Sequence, residues 1–458
     1  SYSVTGVQTC ALPIYNNFRK AKANMKSVRG FLRGGIHLPP RIAFCHEAIE
    51  NAFLPIHARL TLRSTSDGKA PRLLVAEGQE LVEGQLVARA EGRGTANAHS
   101  PIPGIVRRIE RGLDGAGMPL ATLLISLSGS FNISGRRPER YVWKSLNRSD
   151  LLHLISEKGV THVSTGFPVY DILHAAPNDG TAELVVNALE MNPYSRVEEA
   201  LLLHYQDRVL DACDMVSKIL KPQRMVLAVD ASMTLAQASA LEKAAETAGL
   251  SLSVERFKRR YPQDMPHLIT RALKTGKMLA SRRVFMEPST LLALYEAVVS
   301  NKAHIEQYVY LGGAALKYHR IVKARVGTSL GDLFEECGGF IGIPQKIVLN
   351  DPVRGEIAKD LDQPIEKTTR CALALTAEEI HQAGIRPCSR CGECMDACPE
   401  GLDPIRLYKL LVAGRLEDAR AEGLDACTSC AACTYACRSR IALVQQFDAY
   451  RNTENADE

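Results

Sequence analysis

Eight cysteines in two short runs near the C-terminal end limit what this chain can fold into more than any other feature. The first run contains Cys388, Cys391, Cys394 and Cys398 with the spacing C-x2-C-x2-C-x3-C, and Pro399 follows it. The second run repeats this spacing at Cys427, Cys430, Cys433 and Cys437, and Arg438 follows it. The pattern is typical of proteins with two [4Fe–4S] clusters, in which the fourth cysteine of each run ligates the other cluster.

The spacing also predicts how the two runs share the clusters. Three thiolates at two-residue intervals can surround one corner of a cubane, whereas the fourth lies too far round the turn and reaches the neighbouring cluster. Cluster 1 is therefore predicted to bind Cys388, Cys391, Cys394 and Cys437. Cluster 2 is predicted to bind Cys427, Cys430, Cys433 and Cys398.

Zinc and disulfide bonds explain these cysteines less well. Structural zinc usually takes two separated C-x2-C pairs, which leaves the repeated four-cysteine pattern unexplained. Disulfide frameworks are typical of small secreted domains, but this chain has 458 residues and we expect no signal peptide. The cysteines thus predict a protein that transfers electrons.

Length and composition are those of a soluble protein with several domains. A chain of 458 residues suggests about three domains. Its 46% hydrophobic and 23% charged residues are ordinary, and a net charge of +5 does not indicate nucleic-acid binding. No apolar run approaches the roughly 18 residues that span a bilayer. We therefore expect a cytoplasmic protein, because cluster thiolates need reducing conditions. If the protein works at a membrane, it must dock there through partners.

The N-terminal half begins with two segments of unusual character. Residues 1–14 contain VTGVQTCALPI, which resembles a translated sequencing adapter, so we expect this stretch to be an artefact. Residues 15–54 form a predicted basic arm that includes the motif GGIHLPP at 34–40. This motif is too rich in glycine and proline to be helical.

Residues 55–135 alternate short β-rich runs with glycine turns. Strands are predicted at 73–75, 85–88, 105–109 and 121–127. The turns at 77–85 and the segment HSPIPGIV at 99–106 resemble a biotinyl/lipoyl-type barrel-sandwich domain. No lysine lies between residues 70 and 141, so this domain is expected to be a scaffold without a carrier lysine.

Three further regions complete the predicted multidomain α/β architecture. In residues 148–280, strands at 225–230 and 250–254 flank a helix at 235–248, which predicts a parallel, doubly wound, Rossmann-like sheet. Residues 281–360 are expected to hold a helix and then a small β-rich unit. Residues 375–450 are predicted to form an α-helical ferredoxin-like domain, with Asp403-Pro404 starting a helix.

The basic run at 256–260 is either a solvated face or a docking site for an acidic redox partner.

Taken together, these parts resemble one family along nearly the whole chain. The order is the GGIHLPP motif, a barrel-sandwich domain, a nucleotide-type α/β domain, an SLBB-like β-grasp unit and two cluster motifs. The chain resembles the C subunit of the Rnf-type ion-translocating electron transport complex, RnfC. That resemblance implies a peripheral protein on the cytoplasmic side of the plasma membrane, with other subunits of the complex and a ferredoxin or similar protein as partners.

The family carries a flavin/NADH site on a glycine-rich loop, roughly GxGGAGFPT, and this chain departs from it. The corresponding stretch is VSTGFPV at 163–169, in which only Gly166, Phe167 and Pro168 match. The NGAECEPY element appears as NALEMNPY at 187–194 and keeps Glu190, while KYPQGG appears as RYPQDM at 260–265. Several glycines are needed for backbone amides to approach a phosphate. The resemblance thus implies a degenerate FMN/NADH site with Gly166, Phe167, Pro168 and Glu190 as its remnants.

Three functions remain open on the sequence. The first is an RnfC-like electron-transfer subunit that relays electrons through two [4Fe–4S] clusters without oxidising NADH itself. The second is an NADH-oxidising FMN/iron–sulfur diaphorase, of the RnfC or cobalamin-reductase type. The third is a docking adaptor whose upstream domains are an inert scaffold. Bound flavin and NADH-driven cluster reduction distinguish the first two, and clusters that no partner reduces indicate the third.

Overall fold

The computed structural model describes residues 28–31, 33–41, 49–63, 70–113, 118–128, 141–273, 283–380 and 384–454. The predicted artefact at 1–14 and most of the basic arm lie outside these ranges. The architecture is therefore given for the described residues.

The first domain consists of two small antiparallel sheets packed face to face. After β1 (Ile49–Asn51) come β2 (His57–Arg63), β3 (Arg72–Leu73), β4 (Glu80–Leu81), β5 (Leu86–Arg89), β6 (Ala98–His99), β7 (Gly104–Leu113) and β8 (Pro119–Leu127). One sheet has the order β2-β8-β7-β4 and the other β3-β5-β6. Their inward side chains, among them Leu60, Val87 and Ile125, form one apolar core. The four predicted strands are found here, with ends shifted by a few residues.

A parallel sheet with helices around it forms the second domain. Its elements are α1 (Arg148–Glu157), α2 (Val169–Ala175), β9 (Glu183–Asn187), α3 (Val197–His204), α4 (Gln206–Leu220), β10 (Arg224–Asp230), α5 (Leu235–Thr247), β11 (Leu252–Phe257), α6 (Pro266–Leu273), β12 (Arg283–Met286) and α7 (Pro288–Val299). The strand order is β11-β10-β9-β12 and every pairing is parallel. All five residues of β9 are buried, as expected for a strand that is covered on both faces.

The predicted boundary at residue 281 is wrong, because β12 and α7 lie beyond it and belong to the parallel sheet and its core. β12 pairs with β9 from Arg283 onward, and Leu291 and Leu294 of α7 pack in the same apolar core as β9 and β10. A four-residue strand without alternation or a strong apolar run gives little local signal. Its pairing partner lies about a hundred residues earlier, so only the folded sheet reveals it.

A six-stranded mixed sheet follows. It contains β13 (Glu306–Gly312), β14 (Arg320–Arg325), β15 (Lys346–Leu349), β16 (Glu356–Ile357) and β17 (Cys371–Leu375), with α8 (Leu330–Glu336) packed on it. The order is β1-β14-β13-β17-β15-β16. Thus β1 from the predicted arm and β17 from beyond residue 360 both join this unit, which corrects the predicted limits of 281–360. Pairing between distant segments is not encoded in local sequence pattern.

Short helices make up the C-terminal domain. They are α9 (Glu393–Ala397), α10 (Pro404–Val412), α11 (Leu416–Ala421), α12 (Ala432–Ala436) and α13 (Leu443–Glu454). The predicted cap is present, since the Asp403 side chain accepts a hydrogen bond from the Arg406 amide at the start of α10. Leu407, Leu411 and Phe447 lie in its core. In the described part of the chain, every helix is too short or too polar to span a bilayer.

Candidate functional site

The two cysteine runs fold into the same local structure. Each run contains one short helix, α9 or α12, and the two helices pack against each other. A residue with positive φ precedes each helix, Gly392 at 82° and Ala431 at 59°. The last cysteine of each run, Cys398 or Cys437, caps its helix in extended conformation. The fourth cysteine of each run therefore lies just beyond the helix that contains the third.

Cys398 of the first run lies with three cysteines of the second run around one cavity. The cavity is lined by Cys398, Cys427, Cys430 and Cys433, with Leu402, Val444 and Phe447 as apolar walls. Cys398, Cys430 and Cys433 are buried. Burial, together with the nearby Cys430, Cys427 and Cys398 thiols, raises the pKa of the Cys433 thiol to about 12. We call these four thiols the buried set.

The remaining four thiols lie nearer the surface and form the exposed set. Cys391 is exposed, while Cys388, Cys394 and Cys437 are half-buried. Burial raises the pKa of the Cys394 thiol, and nearby Asp403 and Cys437 raise it too, which places Cys437 beside the first run. Arg438, next to Cys437, forms an ion pair with Glu393 close to Cys391.

The chemistry of both sets fits iron–sulfur clusters. Each set offers four thiols, the ligands that [4Fe–4S] clusters take. Backbone amides also point at sulfur: Arg390 N–H donates to Cys388 Sγ and Ile441 N–H to Cys437 Sγ, both at 3.4 Å. Among the described residues, no three or more His, Cys, Asp or Glu side chains are arranged to hold a single metal ion. The fit therefore rests on the thiols, the amides and the cavity.

The GGIHLPP motif ties the buried set to the parallel-sheet domain. Gly35 N–H donates to Ala397 O at 2.8 Å, immediately before Cys398. Ile36 and Tyr261 exchange backbone hydrogen bonds of 3.0 and 2.9 Å, and Tyr261 Oη donates to Cys430 O at 2.7 Å. Tyr261 is fully buried. We call residues 34–36 the glycine strap, because together with Tyr261 they contact both runs that supply the buried set.

Gly34 must be glycine in this strap. Its φ is +73°, a conformation that L side chains rarely adopt. A Cβ here would also overlap the carbonyl group of Cys398 and would lie 2.6 Å from Pro399 Cα. The strap can therefore approach the cysteine run only because Gly34 has no side chain.

The loop at 163–169 has most of its amides occupied. Val163 N–H donates to Thr290 Oγ1 at 3.0 Å, and Gly166 N–H donates to His162 O at 2.7 Å. The amides of Thr165 and Phe167 also donate within the loop. A phosphate-binding loop needs free N–H groups that point at the ligand. In this conformation the loop does not present them.

A buried carboxylate lies behind the same loop. Ser164 Oγ donates to Glu287 Oε1 at 2.5 Å, Thr290 Oγ1 donates to the other oxygen at 3.1 Å, and His162 Nε2 is 3.1 Å from it. Gly166 has φ +72°, and a Cβ there would lie 3.2 Å from Thr368 Cγ2. Phe167 is exposed and Pro168 precedes α2 as its N-cap. The Glu287 carboxylate therefore lies next to the loop, where its negative charge would oppose a bound phosphate.

Glu190 lies in a buried charge cluster with Glu198, Glu287 and Arg370. Its carboxylate accepts from the Glu198 amide at 3.3 Å, and burial raises its pKa. Burial also raises the pKa of Glu198 to about 8, with Arg370 lowering it and Glu287 and Glu190 raising it. Three buried carboxyl groups thus interact with one half-buried arginine. Sequence reasoning found only Glu190, because the chain segment just before β17 carries Arg370 in from a distant part of the sequence.

Two of the four basic residues in the run at 256–260 are used inside the protein, whereas Lys258 and Arg260 are exposed. Arg256 Nη2 donates to Ala231 O at 2.6 Å. Arg259 forms an ion pair with Asp230 and donates to Asn192 O at 2.9 Å. These two arginines hold the loops that follow the strands of the parallel sheet, so they are not free for a partner. Cys213, Cys337 and Cys371 are buried thiols outside the two runs, whereas Cys10 and Cys45 lie outside the described residues.

Three protein families match successive parts of the chain. The RnfC barrel sandwich hybrid domain matches residues 31–129, the Nuo51 FMN-binding domain residues 155–303 and the 4Fe-4S dicluster domain residues 375–442. Fold and site thus define an iron–sulfur electron-transport protein with a Nuo51-type α/β domain. The match of the parallel-sheet domain to an FMN-binding family is evidence for flavin. It goes against the expectation, drawn from the altered loop, that flavin binding is doubtful.

Curated relatives identify the family. The C subunit of the proton-translocating ferredoxin:NAD(+) oxidoreductase complex of Clostridium ljungdahlii is 27% identical over 400 residues, covering 85% of this chain and 86% of its own. The C subunit of the ion-translocating oxidoreductase complex of Rhodobacter capsulatus is 26% identical over 404 residues, covering 86% and 77%. Its counterpart from Erwinia tasmaniensis is 30% identical, covering 85% of this chain and 49% of its own. The chain belongs to the RnfC family.

Part of the chain also aligns with a solved structure. The NAD+-reducing [NiFe]-hydrogenase in the H2-reduced state aligns with a TM-score of 0.49 and 15% identity, covering 68% of this chain and 64% of that one.

Proposed function

We propose that this chain relays electrons through two [4Fe–4S] clusters as a peripheral subunit of an RnfC-type complex on the cytoplasmic side of a membrane. Cluster 1 would bind to the exposed set, Cys388, Cys391, Cys394 and Cys437. Cluster 2 would bind to the buried set, Cys427, Cys430, Cys433 and Cys398. The observation that carries this proposal is the position of Cys398, which lies among the second run's thiols around one cavity.

The different burial of the two sets supports a path for electrons between the parallel-sheet domain and a protein partner. The buried set is in contact with the parallel-sheet domain through the strap and Tyr261. The exposed set opens to solvent at Cys391. When bound, each cluster would supply a one-electron redox centre. The chain's own residues would then place one centre next to the parallel-sheet domain and the other within reach of a protein partner.

The proposal includes no oxidation of NADH by this chain. It is supported by the occupied amides of loop 163–169 and by Glu287 behind that loop. The electron donor or acceptor would then be a ferredoxin or similar protein, or another member of the complex. The alternative is an NADH-oxidising FMN/iron–sulfur diaphorase, which the match to the Nuo51 FMN-binding domain favours. We also propose that the parallel-sheet domain is Rossmann-like and that the unit with the six-stranded mixed sheet is SLBB-like.

One preparation can test these alternatives. The chain from Tyr15 onward is purified without oxygen, and iron, sulfide and released flavin are quantified on the same sample. About eight irons without flavin, and no bleaching of the cluster absorbance by NADH, would support the relay. About eight irons with one FMN and bleaching by NADH would establish the diaphorase. Clusters that neither NADH nor a protein donor reduces would indicate an adaptor, and absence of iron would refute all three.

A Gly166→Ala variant adds a residue-level test of the loop. If the nucleotide site is not used, the variant keeps the cluster reduction that a protein donor supports. If NADH activity is present in the unsubstituted chain and disappears in the variant, the loop is functional and the relay proposal is wrong on this point.

A further inference from the structure

The surface around the exposed set has a composition typical of a protein-docking site. The chain segments that supply the exposed set also carry three large exposed apolar side chains: Ile385 at 72%, Tyr435 at 55% and Met395 at 39%. Met395 and Tyr435 belong to α9 and α12, which pack against each other. Exposed aromatic residues and methionine are enriched at protein interfaces.

Four arginines lie in the same segments as these apolar residues. Arg386, Arg390 and Arg438 are exposed and Arg440 is half-buried. The backbone brings them together, because Arg386 N–H donates to Ser439 O at 2.9 Å and Ser439 Oγ donates to Pro387 O at 2.9 Å. The segment before the first run is thereby fixed against the end of the second. We call residues 385–396 and 435–440 the arginine face.

The arginines of this face differ from those on the rest of the C-terminal domain. Elsewhere on that domain, exposed arginines have carboxylate partners: Arg406 with Glu422, Arg415 with Asp418 and Arg420 with Glu417. Arg438 is paired with Glu393. Within the part of the chain that the structure describes, Arg386, Arg390 and Arg440 form no ion pair. Two acidic residues, Glu393 and Asp396, lie in the face, so its side chains other than the cysteine ligands carry more positive than negative charge.

We infer that the arginine face docks an acidic electron-carrier protein over the exposed set. Unpaired arginines around an apolar centre are complementary to a partner with a carboxylate-rich surface. Such charges mainly raise the rate of encounter and orient the partner, and salt screens them. The inference rests on the proposed function, because docking here matters only if cluster 1 binds to these thiols. One electron would then pass between cluster 1 and the partner's redox centre, with no bond formed or broken.

A matched pair of triple variants tests the face. The first variant carries Arg386→Gln, Arg390→Gln and Arg440→Gln, and the control carries Arg406→Gln, Arg415→Gln and Arg420→Gln. Both lower the net charge by the same amount and both lie in the same domain. Binding of an acidic two-cluster bacterial ferredoxin to each anaerobically prepared full chain is measured by calorimetry at several salt concentrations. Binding to vesicles that contain phosphatidylglycerol is measured alongside.

The inference predicts that the first variant binds ferredoxin about tenfold or more weakly at low salt, and that the control changes binding less than about twofold. Equal weakening by both variants would overturn it, since net charge alone would then explain the effect. So would unchanged binding in both, or no binding by the unsubstituted chain. Loss of vesicle binding without loss of ferredoxin binding would assign the face to anionic lipid instead. Iron analysis of each sample separates these results from a failure of the proposed function, which would show as a chain without iron.

Discussion

The substitution Gly34→Ala tests whether the glycine strap positions the buried set. Gly34 has φ +73° and lies directly against the backbone of Cys398 and Pro399. The matched control is Gly339→Ala, because Gly339 has the same φ of +73° but no heavy atom within 4 Å of an added Cβ. The two variants thus share the conformational strain and differ only in the overlap.

The magnitude follows from these two contributions. An L residue in the left-handed region costs about 1–2 kcal/mol, and both variants bear this cost. Overpacking against atoms that cannot move away costs about 1–3 kcal/mol more, and only Gly34→Ala bears it, since the overlapped atoms belong to the backbone. Gly34→Ala is therefore expected to be the less stable of the two by about 1–3 kcal/mol. The displaced backbone carries Cys398, so the buried set should be affected first.

The assay is the release of iron under urea in the absence of oxygen, combined with electron paramagnetic resonance of the reduced clusters. Gly34→Ala should release part of its iron at lower urea than Gly339→Ala, and the signal of one cluster should change while the other keeps its shape. Identical release curves and spectra for the two variants would refute the positioning role. Equal changes in both cluster signals would also count against it, because the overlap falls on Cys398, which belongs to the buried set alone.

Three further predictions concern the thiols, the buried charges and the hydrogen bond of Tyr261. Cys391→Ser should lower bound iron from about eight to about four atoms per chain, and unchanged iron would contradict the assignment of Cys391. The pKa of Glu198 is about 8 in the folded chain, against an ordinary value of 4.5. Between these two pH values the unfolded chain binds fewer protons than the folded chain, so stability is lost as pH rises through that window. Glu198→Gln should therefore make the fall in unfolding free energy from pH 5 to pH 8 shallower by up to about 1.4 kcal/mol per pH unit, and an unaltered slope would disprove this. Tyr261→Phe removes the hydrogen bond to Cys430 O and should cost about 1 kcal/mol while shifting the reduction potential of one cluster, whereas equal shifts of both would exclude a local effect.

The altered flavin loop shows how the domain family and the individual site give different information. The α/β domain matches a family named for FMN binding over residues 155–303. Yet the loop amides donate inside the protein and Ser164 donates to a buried carboxylate. Domain identity depends on the whole sheet and its core, whereas phosphate binding depends on a few amides. Flavin quantitation is therefore the decisive measurement for this loop.

Local sequence signals determined much of what was predicted correctly. The regular spacing of the two cysteine runs indicated clusters, and the family match confirms a dicluster domain. The apolar run at 225–230 predicted β10, and Asp403-Pro404 predicted the start of α10. In each case the residues that carry the signal are neighbours in the chain. Such features depend on spacing, periodicity or capping, which one short segment contains by itself.

Tertiary structure alone decided the features that join distant segments. The strands β1 and β12 have weak local patterns and were assigned only by their pairing with β14 and β9. The charge cluster around Arg370 and the contact of the glycine strap with Cys398 each unite residues far apart in sequence. The unequal exposure of the two thiol sets is of the same kind, because it depends on which set faces the parallel-sheet domain. The sequence thus predicted which cysteines would hold the clusters, and the packing of the domains determined which of these cysteines are exposed.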